Sequence, residues 1–378
     1  MSAAAGLPRW AEFALLPALG LALAFAVSAV VVALAGFDPW QVLVLIVRGA
    51  FGSKAGVSYT AYYATSFVCT GLAVALALHA GLFNIGAEGQ ATLGGLGAGL
   101  AALAWSASLP PALMLPLMGL AALAFGAAWA LVPALLQAWR GSHVVITTIM
   151  FNFVAAALLG YLLVGPLKAP GDMNPESAEF AASARLPGMH ELLGACGLDW
   201  PRTPLNASLL VALAAAVAVE ALLSRSLAGY ALRTTGAAPE AARYAGMRPR
   251  RTIVLAMAAS GALAGLVGVN EIAGVQGRLV PDFVAGAGFT GIAVSLIGRN
   301  RPAGIVLAAL LFGALYQGGA ELAFELPDFS REMVYVLQGL VVLFAGALPR
   351  LGAPLVARVL RAAAARRERA GLAETAGG

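Results

Sequence analysis

The chain has 378 residues, of which 61% are hydrophobic and 11% charged, with a net charge of +5 and a mean hydropathy of +0.86. A soluble domain carries about 25% charged residues, so a cytosolic enzyme, a disordered chain and a secreted disulfide scaffold are all excluded. The basic balance does not indicate nucleic acid, because the arginines fall in loops between apolar runs, a pattern that belongs to membrane topology. The fold class expected is an all-α polytopic membrane protein.

A spanning helix needs about 20 apolar residues. In chain order the expected spans are Phe13–Ala35, Tyr62–Leu78, Ala91–Ala107, Ala112–Gln137 and Val144–Gly165. After a polar external loop over 166–204 come Leu205–Leu223, Ile253–Ile272, Phe283–Ile297, Gly304–Ala320 and Met333–Leu348. That makes about ten spans, a membrane domain over residues 1–348 and a basic cytoplasmic tail over 349–378. The first run is longer than a signal core of about 7–15 residues and only Arg9 precedes it, so cleavage is not expected. Beyond Arg358 the tail reads as a membrane-surface helix that frays.

Most of the 23 basic residues fall on one side: Arg9, Arg140, the arginines of 225–251, Arg299, Arg301 and those of 350–369. Basic residues in short loops stay cytoplasmic, which places both termini inside, with Arg48 and Lys54 as a mild violation. The outer loops are acidic, with Asp172, Glu176, Glu179, Glu191 and Asp199 in one and Glu321, Glu325, Asp328 and Glu332 in another. Such a face could dock a basic partner or simply be solvated.

The chemistry of an enzyme is missing. A P-loop requires Gly-Lys-Ser/Thr, but Lys54 follows Ser53 and Lys168 follows Leu167. No His-Glu-x-x-His or Gly-x-Ser-x-Gly occurs. Cys69 and Cys196 lie far apart, as do His79, His143 and His190, so no metal and no cofactor is expected.

Four segments carry information. In His79-Ala-Gly-Leu-Phe-Asn-Ile-Gly-Ala-Glu-Gly-Gln90, glycines break the helix while Asn84, Glu88 and Gln90 bring polar groups to the membrane. Non-helical backbone and a carboxylate at that depth indicate a pathway; a cytoplasmic turn with Glu88 capping the next helix is the alternative. Gly95 and Gly99 read as close helix packing. Around Asn270-Glu271, the carboxylate either lines a path or pairs with Arg278. Over 283–300, Gly286, Gly288, Gly291 and Gly298 interrupt a short apolar segment, a second broken element to set beside the first. In the cytoplasmic loop Ser224–Arg251, Pro239 suits a helix start, Glu240 its positive end and Gly246 its stop. A short alanine-faced helix there fits a groove on another subunit, or lies on anionic membrane lipid with Arg248, Arg250 and Arg251.

Glu240-Ala241-Ala242 with Gly246 resembles the EAA-x-x-x-G loop of ABC importer permeases. Gly81-Leu-Phe-Asn-Ile-Gly-Ala-Glu-Gly-Gln90, Val145-Ile-Thr-Thr-Ile-Met150-Phe-Asn152, Gly274-Val-Gln-Gly-Arg-Leu279 and Gly291-Ile-Ala-Val-Ser-Leu-Ile-Gly-Arg-Asn300 resemble the simple-sugar and nucleoside branch of that family. The resemblance covers roughly Phe67–Gly346 and departs from the family in loop Lys168–Arg202 and in lacking the Leu-Pro that often follows the importer loop. It implies an ABC permease with a separate ATPase, a second, non-identical permease and an extracytoplasmic substrate-binding protein, in a bacterial inner membrane. Residues Pro239, Glu240, Ala241, Ala242 and Gly246 would then couple to the ATPase. Phe83, Asn84, Glu88, Gln90, Asn152 and Glu271 are the expected substrate path, a ring and amides suiting a base-plus-ribose ligand. The rival readings are an ion-coupled carrier titrating Glu88 and Glu271, and a membrane scaffold without transport of its own.

Overall fold

The computed structural model describes residues 15–171, 173–351, 354 and 356–358. Arg9, Phe13, Asp172 and the tail beyond Arg358 lie outside them. Among the described residues the chain is helical, with a single isolated β-bridge between Gly188 and Asn206. The helices are α1 (Leu16–Leu34), α2 (Pro39–Phe51), α3 (Lys54–His79), α4 (Ala87–Trp105), α5 (Pro111–Leu135), α6 (Val144–Val164) and α7 (Met189–Ala195). They continue as α8 (Ser208–Arg225), α9 (Leu227–Ala237), α10 (Pro239–Tyr244), α11 (Pro249–Gly268), α12 (Ala287–Ile297), α13 (Pro302–Glu325) and α14 (Arg331–Leu351). Wider π-helical turns extend α5 through Leu136–Arg140 and α11 through Val269–Gln276.

Six helices are long and apolar enough to cross a membrane, or up to 7 if α1 and α2, bent by 118°, form one span. The expected span Phe283–Ile297 shortens to the 11 residues of α12, since Gly286 turns the chain with φ +80° and starts the helix late. At 1.5 Å per residue that is about 16 Å, half a bilayer core. The loop 224–251 is also more ordered than the sequence suggested, because Ser226 caps α9 by accepting from Gly229 N at 2.9 Å.

Two compact units divide the chain, Ile46–Phe324 and the paired ends Met1–Leu45 with Glu325–Gly378. In the second, α1 packs on α14 and Phe37 meets Phe329 edge-on at 5.0 Å. In the larger unit α3 and α4 are enclosed by α5, α6, α11 and α12. Buried residues make up 78% of the most apolar window of α3, against 22% for α5 and 28% for α6 and α8. Outer helices present Phe153, Val217 and Leu307 to the surroundings, as lipid-facing helices do.

Lipid tails are as apolar as leucine, so helices in a membrane associate by close packing rather than by hydrophobic exclusion. Small residues permit it here. A Cβ on Gly265 would lie 2.3 Å from the Ala122 carbonyl oxygen, and one on Gly261 2.3 Å from that of Gly126. Gly94 meets Gly265 backbone to backbone, and Gly268 lies against Gly95. The expected packing role of Gly95 and Gly99 is also filled by side chains, since Phe283 and Leu279 occupy the space over them.

Gly265→Ala is expected to destabilise the protein by about 1–3 kcal/mol, the usual cost of overpacking, whereas Gly119→Ala, with nothing within 4 Å, should be neutral or better. Thermal unfolding of both variants in one detergent checks this; equal melting temperatures would show that α5 and α11 do not depend on backbone contact.

Candidate functional site: two broken helices joined by Glu88

Between α3 and α4 the chain leaves the helix at Gly81, whose φ is +76°, and runs irregularly to Gly86. A buried segment without a ladder of its own must find partners for its backbone groups elsewhere. Helix α6 supplies both for Ile85: the Thr148 hydroxyl accepts from Ile85 N at 3.3 Å, and Asn152 Nδ2 donates to Ile85 O at 2.9 Å. The same Asn152 accepts from Gly89 N at 2.9 Å. Asn84, wholly buried, accepts from Gly86 N at 2.8 Å and donates to Gln90 Oε1 and Ser260 Oγ, each at 2.9 Å. Gln90 Nε2 returns a bond to Asn84 at 3.2 Å, and Ser260 Oγ donates onward to Ala73 O at 2.6 Å. The amides of Asn84, Gln90 and Asn152 therefore hold this turn together.

Glu88 sits in the first turn of α4, where the helix dipole favours an anion. Its carboxylate does not cap α4. It reaches the start of α12, accepting from Gly286 N at 2.9 Å and from Gly288 N at 2.7 Å. The two expected broken segments are thus brought together, and one carboxylate answers the positive ends of two helices. Gly288 is needed for that approach, since a Cβ there would lie 2.2 Å from Glu88 N. Phe83, on the same turn, is half-buried.

A second polar cluster lies in the π-helical turn after α11. Glu271 accepts from Tyr62 Oη, from Ser66 Oγ at 2.9 Å and from Asn270 Nδ2 at 3.1 Å. Asn270 in turn accepts from Ser208 Oγ at 2.6 Å and Asn206 Nδ2 at 3.1 Å. These bonds join α3, α11 and the start of α8. The suggested Glu271–Arg278 pair is not made. Gly277 turns the chain with φ +64°, and Arg278 instead meets Glu176 at 3.0 Å in the loop after α6. With Arg185 held by Glu179 at 2.6 Å, part of that acidic loop is neutralised from within.

Between the two clusters runs a file of rings. Tyr62 lies 5.1 Å from Tyr63, Tyr63 5.6 Å from Tyr316, Tyr316 5.1 Å from Phe67, and Phe67 6.5 Å from Phe312. Thr290 in α12 shares a hydrogen bond of 3.4 Å with Tyr316. Sequence reasoning missed these rings, since aromatic residues at helical spacing read as ordinary core. Among the described residues no group of three or more His, Cys, Asp or Glu is placed to hold a metal.

The short helix expected in the loop Ser224–Arg251 forms α10 from Pro239 to Tyr244, and Gly246 stops it with φ +79°. Its first turn carries Glu240, which pairs with Arg243 at 3.3 Å. Ala242 alone is buried; Pro239, Glu240, Ala241 and Arg243 are exposed, and Tyr244 is 92% exposed. Just before it, Gly236 rests on the α3–α4 turn: a Cβ there would lie 2.3 Å from His79 O and 2.7 Å from Gly81 N. The end of α9, just before α10, and the turn between α3 and α4 therefore touch through bare backbone, a contact between residues 155 apart that spacing alone does not disclose.

Residues 56–346 match the family model described as branched-chain amino acid transport system / permease component. The chain is 38% identical to a glucose ABC transporter permease of Haloferax volcanii over 340 residues, 89% of this chain and 88% of that one. It is 34% identical to a guanosine ABC transporter permease of Bacillus subtilis, over 87% and 92% of the two chains. With a nucleoside ABC transporter permease of Lactococcus lactis it shares 30% identity over 87% and 90%. No solved structure matches it at a significant level. The chain belongs to the branched-chain amino acid transport system / permease component family and is the permease subunit of an ABC transporter, a transport component rather than an enzyme.

Proposed function

We propose that the chain forms the translocation path of an ATP-driven importer for nucleosides, or for a related simple sugar, in the bacterial cytoplasmic membrane. Three relatives are named for guanosine, nucleosides and glucose, and the first two favour a nucleoside. The chain would cross the membrane about ten times, with α4, α12 and α14 completing the longer spans and both termini inside. Its partners would be an ATPase seated on α10, a second, non-identical permease and an extracytoplasmic binding protein.

The observation that carries the coupling mechanism is the backbone contact of Gly236 with His79 and Gly81. On closure of the ATPase, displacement of α10 would pass through α9 into the α3–α4 turn, because close-packed backbone leaves no slack to absorb it. That turn carries Glu88, so its movement strains or relieves the two bonds that fix the start of α12. Broken helices are common where transporters form their solute sites. The solute itself must bind the two conformations with different affinity for the cycle to do work. Phe83, Glu88 and Glu271, with the ring file between the clusters, are the residues proposed to border its path. Asn84, Gln90 and Asn152 would set the shape of that border.

Three substitutions test this in the assembled complex. Glu240→Ala should lower uptake while membrane insertion and ATP hydrolysis persist. Gly236→Val should do the same by prying α9 from the turn; normal uptake per ATP hydrolysed in both variants would refute the coupling route. At the other end, Glu88→Gln keeps an acceptor but loses the charge, and Glu88→Ala loses both. Charge-assisted bonds are roughly twice as strong as neutral ones, and an anion at a partly buried helix start contributes up to about 2 kcal/mol. Uptake is therefore expected to fall in the order wild type, Glu88→Gln, Glu88→Ala. Indistinguishable rates for the three would remove Glu88 from the mechanism.

A further inference from the structure

Helices α8 and α13 both rest on α3. The first packs against it, and a Cβ on Gly71 of α3 would lie 2.9 Å from Ile305 of the second. Between the end of α8 and the start of α13 lies an open groove of about 640 Å³. Its walls are apolar, formed by Leu213, Val217, Val306 and Leu307. Val217 is 70% exposed and Leu307 69%, so lipid tails are the medium that this groove meets.

The groove is bounded in length. From Leu213 to Arg225 it follows α8 for about 18 Å, but along α13 it stops at Leu307, in the second turn. One leaflet of hydrocarbon is about 15 Å thick. A spanning helix of another subunit would run on along α13 past Leu307, whereas a lipid chain ends with its leaflet.

One end of the groove is charged. Glu220 and Arg225 both line it, and among the described residues neither side chain has an ion pair or a hydrogen bond. A carboxylate on a spanning helix is costly and is almost always paired or turned to the protein interior. Glu220 is exposed, so the cation that answers it comes from outside the described chain. Pro302 and Ala303, the first residues of α13, lie along the same groove. A helix start is the positive pole of its dipole and favours phosphate oxygens. An anionic headgroup would suit Arg225 and this helix start, but would set a second negative charge beside Glu220. A headgroup that carries both a phosphate and a primary ammonium answers all three.

We infer that the groove holds one chain of a zwitterionic aminophospholipid, its phosphate on Arg225 and the start of α13 and its ammonium on Glu220. The two residues stand about 7.5 Å apart along the helix, and long side chains at a membrane interface can converge on one headgroup. The inference goes beyond the import reading and is independent of the solute carried.

The probes are a phosphatidylethanolamine and a phosphatidylglycerol that carry the same photoactivatable diazirine chain. They are added to native membranes holding the tagged full chain, and the cross-linked peptides are located by mass spectrometry. The ethanolamine lipid should mark residues 213–225 and 302–307 about five-fold more than the glycerol lipid, the ratio for roughly one charge contact at a membrane surface. Glu220→Gln should erase that preference, and Glu220→Lys should reverse it. Val217→Trp fills the groove and should remove the marks there, while unchanged marks on α6 show that the variant is folded. Equal marking by the two lipids in the wild type would overturn the site, as would an unchanged preference in Glu220→Gln. Cross-linking of Val217→Cys to a neighbouring membrane subunit would also overturn it and assign the groove to a protein contact.

Discussion

The structure depends on satisfying backbone N–H groups where helices begin inside the protein. Every helix start leaves several donors without partners, and in a membrane protein water is not at hand to take them. At α12 the donors Gly286 N and Gly288 N meet the Glu88 carboxylate. Because Glu88 belongs to α4, the bond that completes one half-helix also fixes its position against another. The surrounding amides do the same for the irregular chain before α4, so the whole junction is a polar knot in apolar surroundings.

Such a knot requires helices close enough for short side chains to reach across. Gly261, Gly265 and Gly268 on α11, with Gly94, Gly95, Ala122 and Gly126 opposite, bring the backbones together without large side chains between them. Ser260 lies in the same stretch of α11 and reaches both Asn84 and the Ala73 carbonyl. The helices that enclose this centre stay apolar outside, so the same chain keeps a dry exterior and a hydrogen-bonded interior. A transporter needs both properties: a surface that lipid accepts and an interior whose polar contacts can be exchanged.

Much of this was legible in the sequence. The proline at 239 and the glycine at 246 bounded α10 because φ restriction at a helix start and a left-handed stop are local properties. Glycines at 81 and 286, both left-handed, marked broken segments for the same reason. Glu88 was singled out as costly at its depth, but its partner lies some 200 residues away, and no local rule names it. For Glu271 the nearest cation in sequence was the wrong partner. The turn at Gly277 directs Arg278 toward Glu176, while Tyr62 and Ser66 arrive from α3.

By itself the sequence determined what depends on composition and short-range geometry: the membrane character of the chain, most of its helices, their caps and stops, and through its motifs the permease family. Tertiary structure alone decided the contacts across long separations: Glu88 on the start of α12, Gly236 against Gly81, and the loop after α6 folded against Ala273 and Asn206. The division has a physical origin. A dihedral preference or an apolar run is a property of a few adjacent residues, whereas the partner of a buried polar atom is whichever group close packing leaves within about 3 Å.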